Sequence, residues 1–356
     1  MSKQPTLLVM AGGTGGHVFP AIAVADWLKA KGWNIAWLVT EDGMENRLIA
    51  GKGYATSVIR MRGVRGKGIM RKLVAPFLVL FACWQSVQAL RRHKPDVVLG
   101  MGGFAAFPGG LMAWLLRKPL VIHEQNSVAG LTNRVLSFFA KRVLTAFPSA
   151  FGKKSQLVGN PVRADIVALP EPARRLKTRD GALRLLVIGG SLGAQILNET
   201  IPQALALLSP EQRPQVIHQA GTKHLEQLQE NYQSAGISGD TRAFIDDMAA
   251  MYAWCDVVIC RAGALTVAEL ATAGVASILV PFPHAVDDHQ TGNAKYLADN
   301  GAALLIPQSS LNATTLAKVI AGLTHESLMT MAIKARALGK PEAAADVAQV
   351  CMELAT

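Results

Sequence analysis

The sequence predicts an α/β protein made of two doubly wound Rossmann-like domains facing each other across a cleft, with ligand loops at the carboxyl ends of the strands. Three observations predict it. Short β-branched or Leu-rich runs alternate with helix-length segments along the whole chain. Two of these runs open alike, LLVMAGGTGG at 7–16 and LLVIGGSLGA at 185–194, each a buried strand, a Gly-rich turn and a helix start. A polar, Pro-bearing stretch, LPEPARRLKTRDGALR, separates a first series of runs from a second and marks a linker near 163–183. With 356 residues, half of them apolar and 17% charged, the chain has material for two cores and is neither disordered nor fibrous.

In the first series the strands are 7–10, 35–40, 96–100, 120–123 and 142–146; in the second they are 185–188, 215–218, 243–245, 256–260, 276–280 and 303–306. Near-continuous apolar runs of this kind suit strands covered on both faces, as in parallel βαβ units. A final helix, 342–355, could pack on either domain.

Charge is unevenly placed. Residues 1–165 carry 22 Lys/Arg against 7 Asp/Glu, net +15, whereas the rest carry 14 against 18, net −4. The cationic half implies a polyanionic partner: nucleic acid, an anionic membrane surface or a phosphorylated substrate. Cys83, Cys255, Cys260 and Cys351 form no C-x-x-C pair or metal spacing, which fits a reducing cytoplasm. The opening MSKQPTLLVMAGG reads as a first strand and not as a signal peptide. The longest apolar stretch, 73–84, is too short to span a bilayer and contains Pro76; Arg71 and Lys72 precede it, with Arg62, Arg65 and Lys67 upstream. It is either a lipid-surface patch or a core helix that is apolar nearly all round before Gln85.

Three glycine clusters end strands: Gly12-Gly13-Thr14-Gly15-Gly16-His17, Gly100-Met101-Gly102-Gly103-Phe104 and Gly189-Gly190-Ser191-Leu192-Gly193. Each could cradle phosphate through the amides of the following helix start, or simply be a tight turn. None is a Walker A motif or a complete G-x-G-x-x-G, which disfavours an NTPase or a dinucleotide oxidoreductase. His17, at a helix start that Pro20 also marks, is placed where the neutral ring is favoured and can act as general base, or else caps the turn or touches phosphate. Cys260-Arg261-Ala262-Gly263-Ala264-Leu265-Thr266 is a further strand, turn and helix start, with Glu269 one turn on. A carboxylate there can accept both hydroxyls of a ribose while the amides of Ala264 to Thr266 face a diphosphate, though a first-turn Glu is favoured by the helix dipole alone. The segment Pro281-Phe282-Pro283-His284-Ala285-Val286-Asp287-Asp288-His289-Gln290 suits sugar hydroxyls; a cation on its His and Asp residues is the weaker reading, having no D-x-D or H-x-x-x-H spacing.

The strings AGGTGGHVFPAIAVA, RGKGI, KPDVVLGMGGF, HEQNSVAGLTNR, VGNPVR, GGSLGA, FIDDM, RAGALTVAEL and DDHQTGNA follow one another along nearly the whole chain. Together they resemble glycosyltransferase family 28, in its branch of membrane-associated enzymes that complete the lipid-linked disaccharide of bacterial peptidoglycan. The resemblance implies a GT-B hexosyltransferase of the inverting class, with no metal or other cofactor. Its donor would be UDP-N-acetylglucosamine, held by the domain at 164–340. Phe244 and Ile245 would meet the uracil edge and Glu269 the ribose, with Ser191, Ala264, Leu265 and Thr266 near the diphosphate. Arg163, Thr14, Gly15 and Gly16 would lie near the same site, and Asn126 and Gln290 would address the sugar.

The domain at 1–163, with helix 341–356 packed back on it, would bind an undecaprenyl-diphosphate-linked muramyl pentapeptide. The acceptor's diphosphate would lie on Gly12, Gly13, Thr14, Gly15, Gly16, Gly102 and Gly103. By the same resemblance Arg71, Lys72, Leu73, Phe77, Leu80, Phe81 and Trp84 become a patch facing an anionic membrane, the chain a peripheral protein on the cytoplasmic face of the inner membrane, and cell-wall assembly proteins further candidate partners. Nucleic acid is not expected, since it would leave the glycine loops and Glu269 unexplained. His17 is the candidate base, with Glu124 or a phosphate oxygen as substitutes. Phe104 excludes any phenolic role at its position.

Overall fold

A computed structural model describes residues 4–61, 69–190 and 192–355 of the chain, with the side chains of 69–75 and 286 left out. The backbone forms two units, Met1–Arg163 with Lys340–Thr356, and Ala164–Gly339.

The first unit runs β1 (Thr6–Ala11), α1 (Gly15–Ala30), β2 (Asn34–Thr40), α2 (Met44–Ile49), β3 (Ala55–Ile59) and α3 (Ile69–His93). It continues through β4 (Val97–Gly102), α4 (Ala106–Leu115), β5 (Leu120–Glu124), α5 (Leu131–Leu136), β6 (Arg142–Thr145) and β7 (Gln156–Leu157). Among the described residues its seven strands are all parallel, in the order β3-β2-β1-β4-β5-β6-β7. The order reverses between β1 and β4, so a crevice opens beyond the carboxyl ends of these two strands. Leu7 to Ala11 are fully buried, as a strand covered on both faces requires. The β1–β4 register slips by one residue at Met10/Ala11, bringing Ala11 opposite Gly102.

The second unit contains α6 (Ala164–Val167), α7 (Pro172–Arg175), β8 (Arg184–Ile188), α8 (Gln195–Ala206), β9 (Gln215–Gln219), α9 (Leu225–Ser234) and β10 (Asp240–Arg242). Next come α10 (Met248–Trp254), β11 (Val257–Cys260), α11 (Ala264–Ala273), β12 (Ala276–Leu279), α12 (His289–Ala298), β13 (Leu304–Leu305), α13 (Ala313–Ala321) and α14 (His325–Leu338). Its parallel sheet has the order β10-β9-β8-β11-β12-β13, with the reversal between β8 and β11. The last helix, α15 (Ala343–Ala355), belongs to the first unit and packs on α1, where Val347, Ala348, Val350 and Cys351 join the core around Val18, Val24 and Leu28.

Four sequence expectations are corrected. The strand placed at 243–245 is β10, three residues earlier, because Ile245 leaves the sheet to donate its amide to Gln219. β3 and β7 were not expected: both lie toward one edge or the other of the sheet and are largely exposed, so they lack the apolar run of a central strand. The stretch 163–183 is not a loose linker, since Arg175 donates to the carbonyls of Ala273 and Gly274 and Arg179 pairs with Asp256 at 3.0 Å, binding α7 and its neighbours to the second unit. Pro20 lies inside α1, one turn past its start, and does not mark the first position.

Candidate active site

In the first unit, the loops after β1 and β4 meet at the switch point. Gly103 has φ +87°, and a Cβ there would overlap the Gly12 carbonyl, so the two loops touch backbone to backbone. Beneath them Glu45, fully buried, accepts the Thr40 amide at 2.9 Å, the Thr40 hydroxyl at 2.7 Å and the Gly13 amide at 3.3 Å. The carboxylate thus ties the loop down and occupies Gly13, one of the amides expected for a diphosphate. The amides of Gly15 and Gly16, first in α1, have no acceptor within the helix and remain suited to an anion together with Thr14.

His17 lies over Gly102, where a Cβ would stand 3.0 Å from its Cε1 and Nδ1, and its Nδ1 is 2.8 Å from Gln125 Oε1. Gln125 Nε2 reaches Nδ1 and the carbonyl of His123, each at 3.1 Å, and His123 Nε2 reaches the Gly159 carbonyl at 2.8 Å. Burial pushes His123 down to about 4 from the ordinary 6.5, against smaller opposing contributions from the Gly159 carbonyl and Glu124. Neither Gln125 nor His123 was singled out from the sequence: HEQN is a polar strand end there, and the contacts depend on the depth of β5.

Glu124, named as a substitute base, accepts four hydrogen bonds: from the Asn126 amide and side chain, the Gly130 amide and Asn133. At 2% exposure it organises the loop after β5 and is not placed to take a proton from a ligand. Asn126 is half-buried beside it, Arg163 lies 5.5 Å from the ring of Phe19 on α1, and Phe104 is half exposed.

In the second unit the loops after β8, β11 and β12 enclose a cavity of about 650 Å³, lined by Gly189, Gly190, Gly193, Arg261, Thr266 and Gln290 among others. Gly193, at φ +77°, would drive a Cβ into the Ala220 carbonyl, so this glycine serves close packing of two loops. Ser191 lies outside the described residues. Ala264, Leu265 and Thr266 form the first turn of α11, with Gly263 preceding them.

Arg261, which the sequence reading left without a role, donates to the carbonyls of Val280 and Pro281 at 3.2 Å and stacks 5.3 Å from the Phe282 ring. Burial lowers its pKa from the usual guanidinium value. Such a residue remains a cation and supplies the cavity's positive charge. Gln290 Oε1 accepts the amides of Ala262 at 3.2 Å and Phe282 at 3.0 Å, which leaves its two N–H donors for a ligand. Between His289 and Gln290, only Gln290 lines the cavity.

Glu269 is 5% exposed and accepts the Tyr252 hydroxyl at 3.0 Å. Burial first, and the Glu269 carboxylate second, hold the Tyr252 phenol neutral by raising its pKa well above the ordinary value. The Ile245 amide, expected at a uracil edge, is donated to Gln219 Oε1 at 3.1 Å, and Phe244 beside it is half exposed. Among the described residues no three His, Cys, Asp or Glu side chains are grouped to hold a cation.

Over its described side chains, 76–93, α3 is amphipathic and not apolar all round. Ala82, Cys83, Ser86, Ala89 and Leu90 are buried, while Phe77, Leu80, Phe81 and Trp84 face outward, the last two stacked at 5.5 Å. Two features went unread in the sequence: α4, packed on α3, exposes Trp114 and Leu115, and Phe138, beyond α5, is 82% exposed. Arg62, Arg65 and Lys67, and the side chains of Arg71, Lys72 and Leu73, lie outside the described part. No helix among the described residues is long and apolar enough to cross a membrane.

Residues 7–145 match the profile of the glycosyltransferase family 28 N-terminal domain and residues 184–349 that of its C-terminal domain. The UDP-N-acetylglucosamine–N-acetylmuramyl-(pentapeptide) pyrophosphoryl-undecaprenol N-acetylglucosamine transferase of Aromatoleum aromaticum is 59% identical over 350 residues, 98% of each chain. The enzyme of the same name from Dechloromonas aromatica is 57% identical over 355 residues, 100% of each chain. Among solved structures, Acinetobacter baumannii MurG superposes with a TM-score of 0.86 at 44% identity, over 98% of this chain and 99% of that one.

Proposed function

The chain belongs to glycosyltransferase family 28, and from that premise we propose that it moves N-acetylglucosamine from UDP-N-acetylglucosamine to the 4-hydroxyl of the muramyl residue of an undecaprenyl-diphosphate-linked muramyl pentapeptide. The observation that carries this reading is full-length identity of 55–59% to relatives bearing that activity in their names. The cavity of the second unit supports the donor half: a helix start, an arginine and the donor face of Gln290 surround about 650 Å³, a volume suited to a nucleotide sugar.

In the reaction the acceptor hydroxyl attacks the anomeric carbon from the side opposite UDP. A C–O bond forms there, the bond to the diphosphate oxygen breaks with its electron pair leaving on UDP, and the configuration inverts to a β-1,4 linkage. His17 takes the hydroxyl proton. Negative charge growing on the diphosphate meets the amides at Ala264 to Thr266, the start of α11 and Arg261. Glu269 holds the ribose, Gln290 and Asn126 the sugar hydroxyls, and Arg163 and Ser191 serve the same donor. The acceptor's diphosphate rests on Thr14, Gly15 and Gly16, with Gly102 and Gly103 shaping the facing loop.

The first unit, net positive in sequence, docks on an anionic membrane through Phe77, Leu80, Phe81 and Trp84, extended by Trp114, Leu115 and Phe138. That makes the chain peripheral, on the cytoplasmic face of the inner membrane, with a product that feeds peptidoglycan synthesis. The test is transfer of radiolabelled N-acetylglucosamine from its UDP donor to a short-chain lipid-linked muramyl pentapeptide, with chelator present and UDP-galactose as control donor. Labelled disaccharide-lipid is expected; absence of product with UDP binding intact would move the acceptor to another molecule.

A further inference from the structure

The contacts behind His17 fix more than its position. The Gly159 carbonyl can only accept, so His123 Nε2, 2.8 Å away, carries that ring's proton. His123 is fully buried and its pKa is held near 4, so the ring is neutral at cytoplasmic pH and Nδ1 bears a lone pair. Gln125 Nε2 donates one hydrogen to that lone pair and the other to the His123 carbonyl. Turning the amide over would set its oxygen against two acceptors, so its orientation is determined by its surroundings. Oε1 therefore faces His17 Nδ1 at 2.8 Å, where it too can only accept. Gln125 is 1% exposed and His123 is not exposed at all, so water does not compete along the chain of contacts.

We propose that Gln125 and His123 are positioning residues that hold neutral His17 as its Nδ1–H tautomer, with the lone pair on Nε2 as the atom that accepts the acceptor's proton. The proposal rests on the reading of His17 as base. Through an amide the tautomer is set without placing a charge next to the ring, in contrast to a carboxylate at the same position. The ionisable groups on elements around α1 are Glu45 and Arg47 on α2, His123 and Glu124 on β5, Asp346 and Glu353 on α15, and Arg163 against Phe19; Asp26 and Lys29 lie on α1 itself. None of these stands between His17 Nδ1 and Gln125.

The test uses the full chain labelled with ¹⁵N in its imidazoles and long-range ¹H–¹⁵N spectra, His17 being assigned by its loss in His17→Gln. In the unaltered protein His17 should show a protonated Nδ1 and a bare Nε2, and His123 the reverse. Gln125→Met should release His17 to a mixture of tautomers and lower kcat by about tenfold to a hundredfold, as loss of an orienting partner does elsewhere, with the donor KM within about twofold. A His17 with its proton on Nε2 in the unaltered protein overturns the proposal. So does a Gln125→Met protein whose His17 spectrum is unchanged, since any lost activity would then come from packing. Turnover retained in His17→Ala would remove the base reading instead, and the spectra would still decide whether Gln125 sets the tautomer.

Discussion

The Tyr252 hydroxyl, on the buried side of α10, donates to Glu269 on α11 across 3.0 Å. The bond holds the carboxylate in one orientation at the start of α11. Glu269→Ala should therefore weaken UDP binding by about tenfold or more, the loss of charge-assisted hydrogen bonds to two hydroxyls. With 2′,3′-dideoxy-UDP the same substitution should change affinity little, and Tyr252→Phe should give a several-fold loss with UDP; titration calorimetry on these protein–ligand pairs checks this. An equal penalty with both ligands would move Glu269 away from the ribose.

His17→Ala should lower kcat by about a hundredfold to ten-thousandfold, the usual range for loss of a general base, while UDP affinity stays within about twofold. Steady-state turnover beside UDP titration separates the two. Unchanged turnover would take His17 out of the proton transfer.

Gly13 and Gly103 share a positive φ, near +86° and +87°, but differ in surroundings: no atom would meet a Cβ at Gly13, whereas the Gly12 carbonyl would collide with one at Gly103. Gly13→Ala should cost about 1–2 kcal/mol, the backbone penalty alone. Gly103→Ala should cost clearly more, about 3 kcal/mol or above, because the loop must also open. Urea unfolding of both variants checks the order, and equal losses would show that the two loops are free to part.

His123 and His218 are buried as neutral rings, with pKa values pushed down to about 4 and about 3 from the ordinary 6.5. Above pH 6.5 neither state binds the proton and stability is unaffected. As pH falls below 6.5 the unfolded chain takes up protons that the folded chain refuses, so stability drops toward pH 4 for His123 and pH 3 for His218, by roughly 1.4 kcal/mol per unit for each ring. Urea midpoints should hold between pH 7 and pH 6.5, then fall toward pH 5, and less steeply in His218→Gln. A flat profile would mean that the rings gain water or protons in the folded state.

Phe77 and Trp84 stand out from α3 at 71% and 54% exposure. Replacing both with Ser should reduce partitioning onto anionic phospholipid vesicles by about tenfold or more, the loss of two apolar anchors, with a far smaller fall in turnover on a short-chain acceptor in solution. Vesicle sedimentation measures the first, and an unaltered partition would place the membrane contact elsewhere.

The central strands and the four glycine-led loops at the switch points were legible in the sequence, because a strand covered on both faces must be apolar and a close loop contact must be glycine. Edge strands such as β3 escaped, since half of their side chains face solvent and the period is weak. The site divided in the same way. Residues that follow a glycine turn at a helix start, His17, Thr266 and Glu269, could be found by spacing; those that act from another strand or helix, Gln125, Tyr252 and Arg261, could not, because their partners lie 108, 17 and about 20 positions away. Ile245 shows the limit from the other side: an apolar residue in a β-favouring string lies outside the sheet because a glutamine takes its amide.

The helix α15 closes the core of the first unit, although it is separated from the rest of that unit by the entire second one. During synthesis residues 1–163 emerge from the ribosome long before their last core element does. The flank of α1 that receives Val347 and Cys351 stays open until the 176 residues of the second unit, 164–339, and then α15 itself have been made. The second unit can complete its own fold in that interval, so the unit that carries His17 matures last, and shortening the chain by one C-terminal helix would disable the end of the molecule that the missing helix never approaches in sequence.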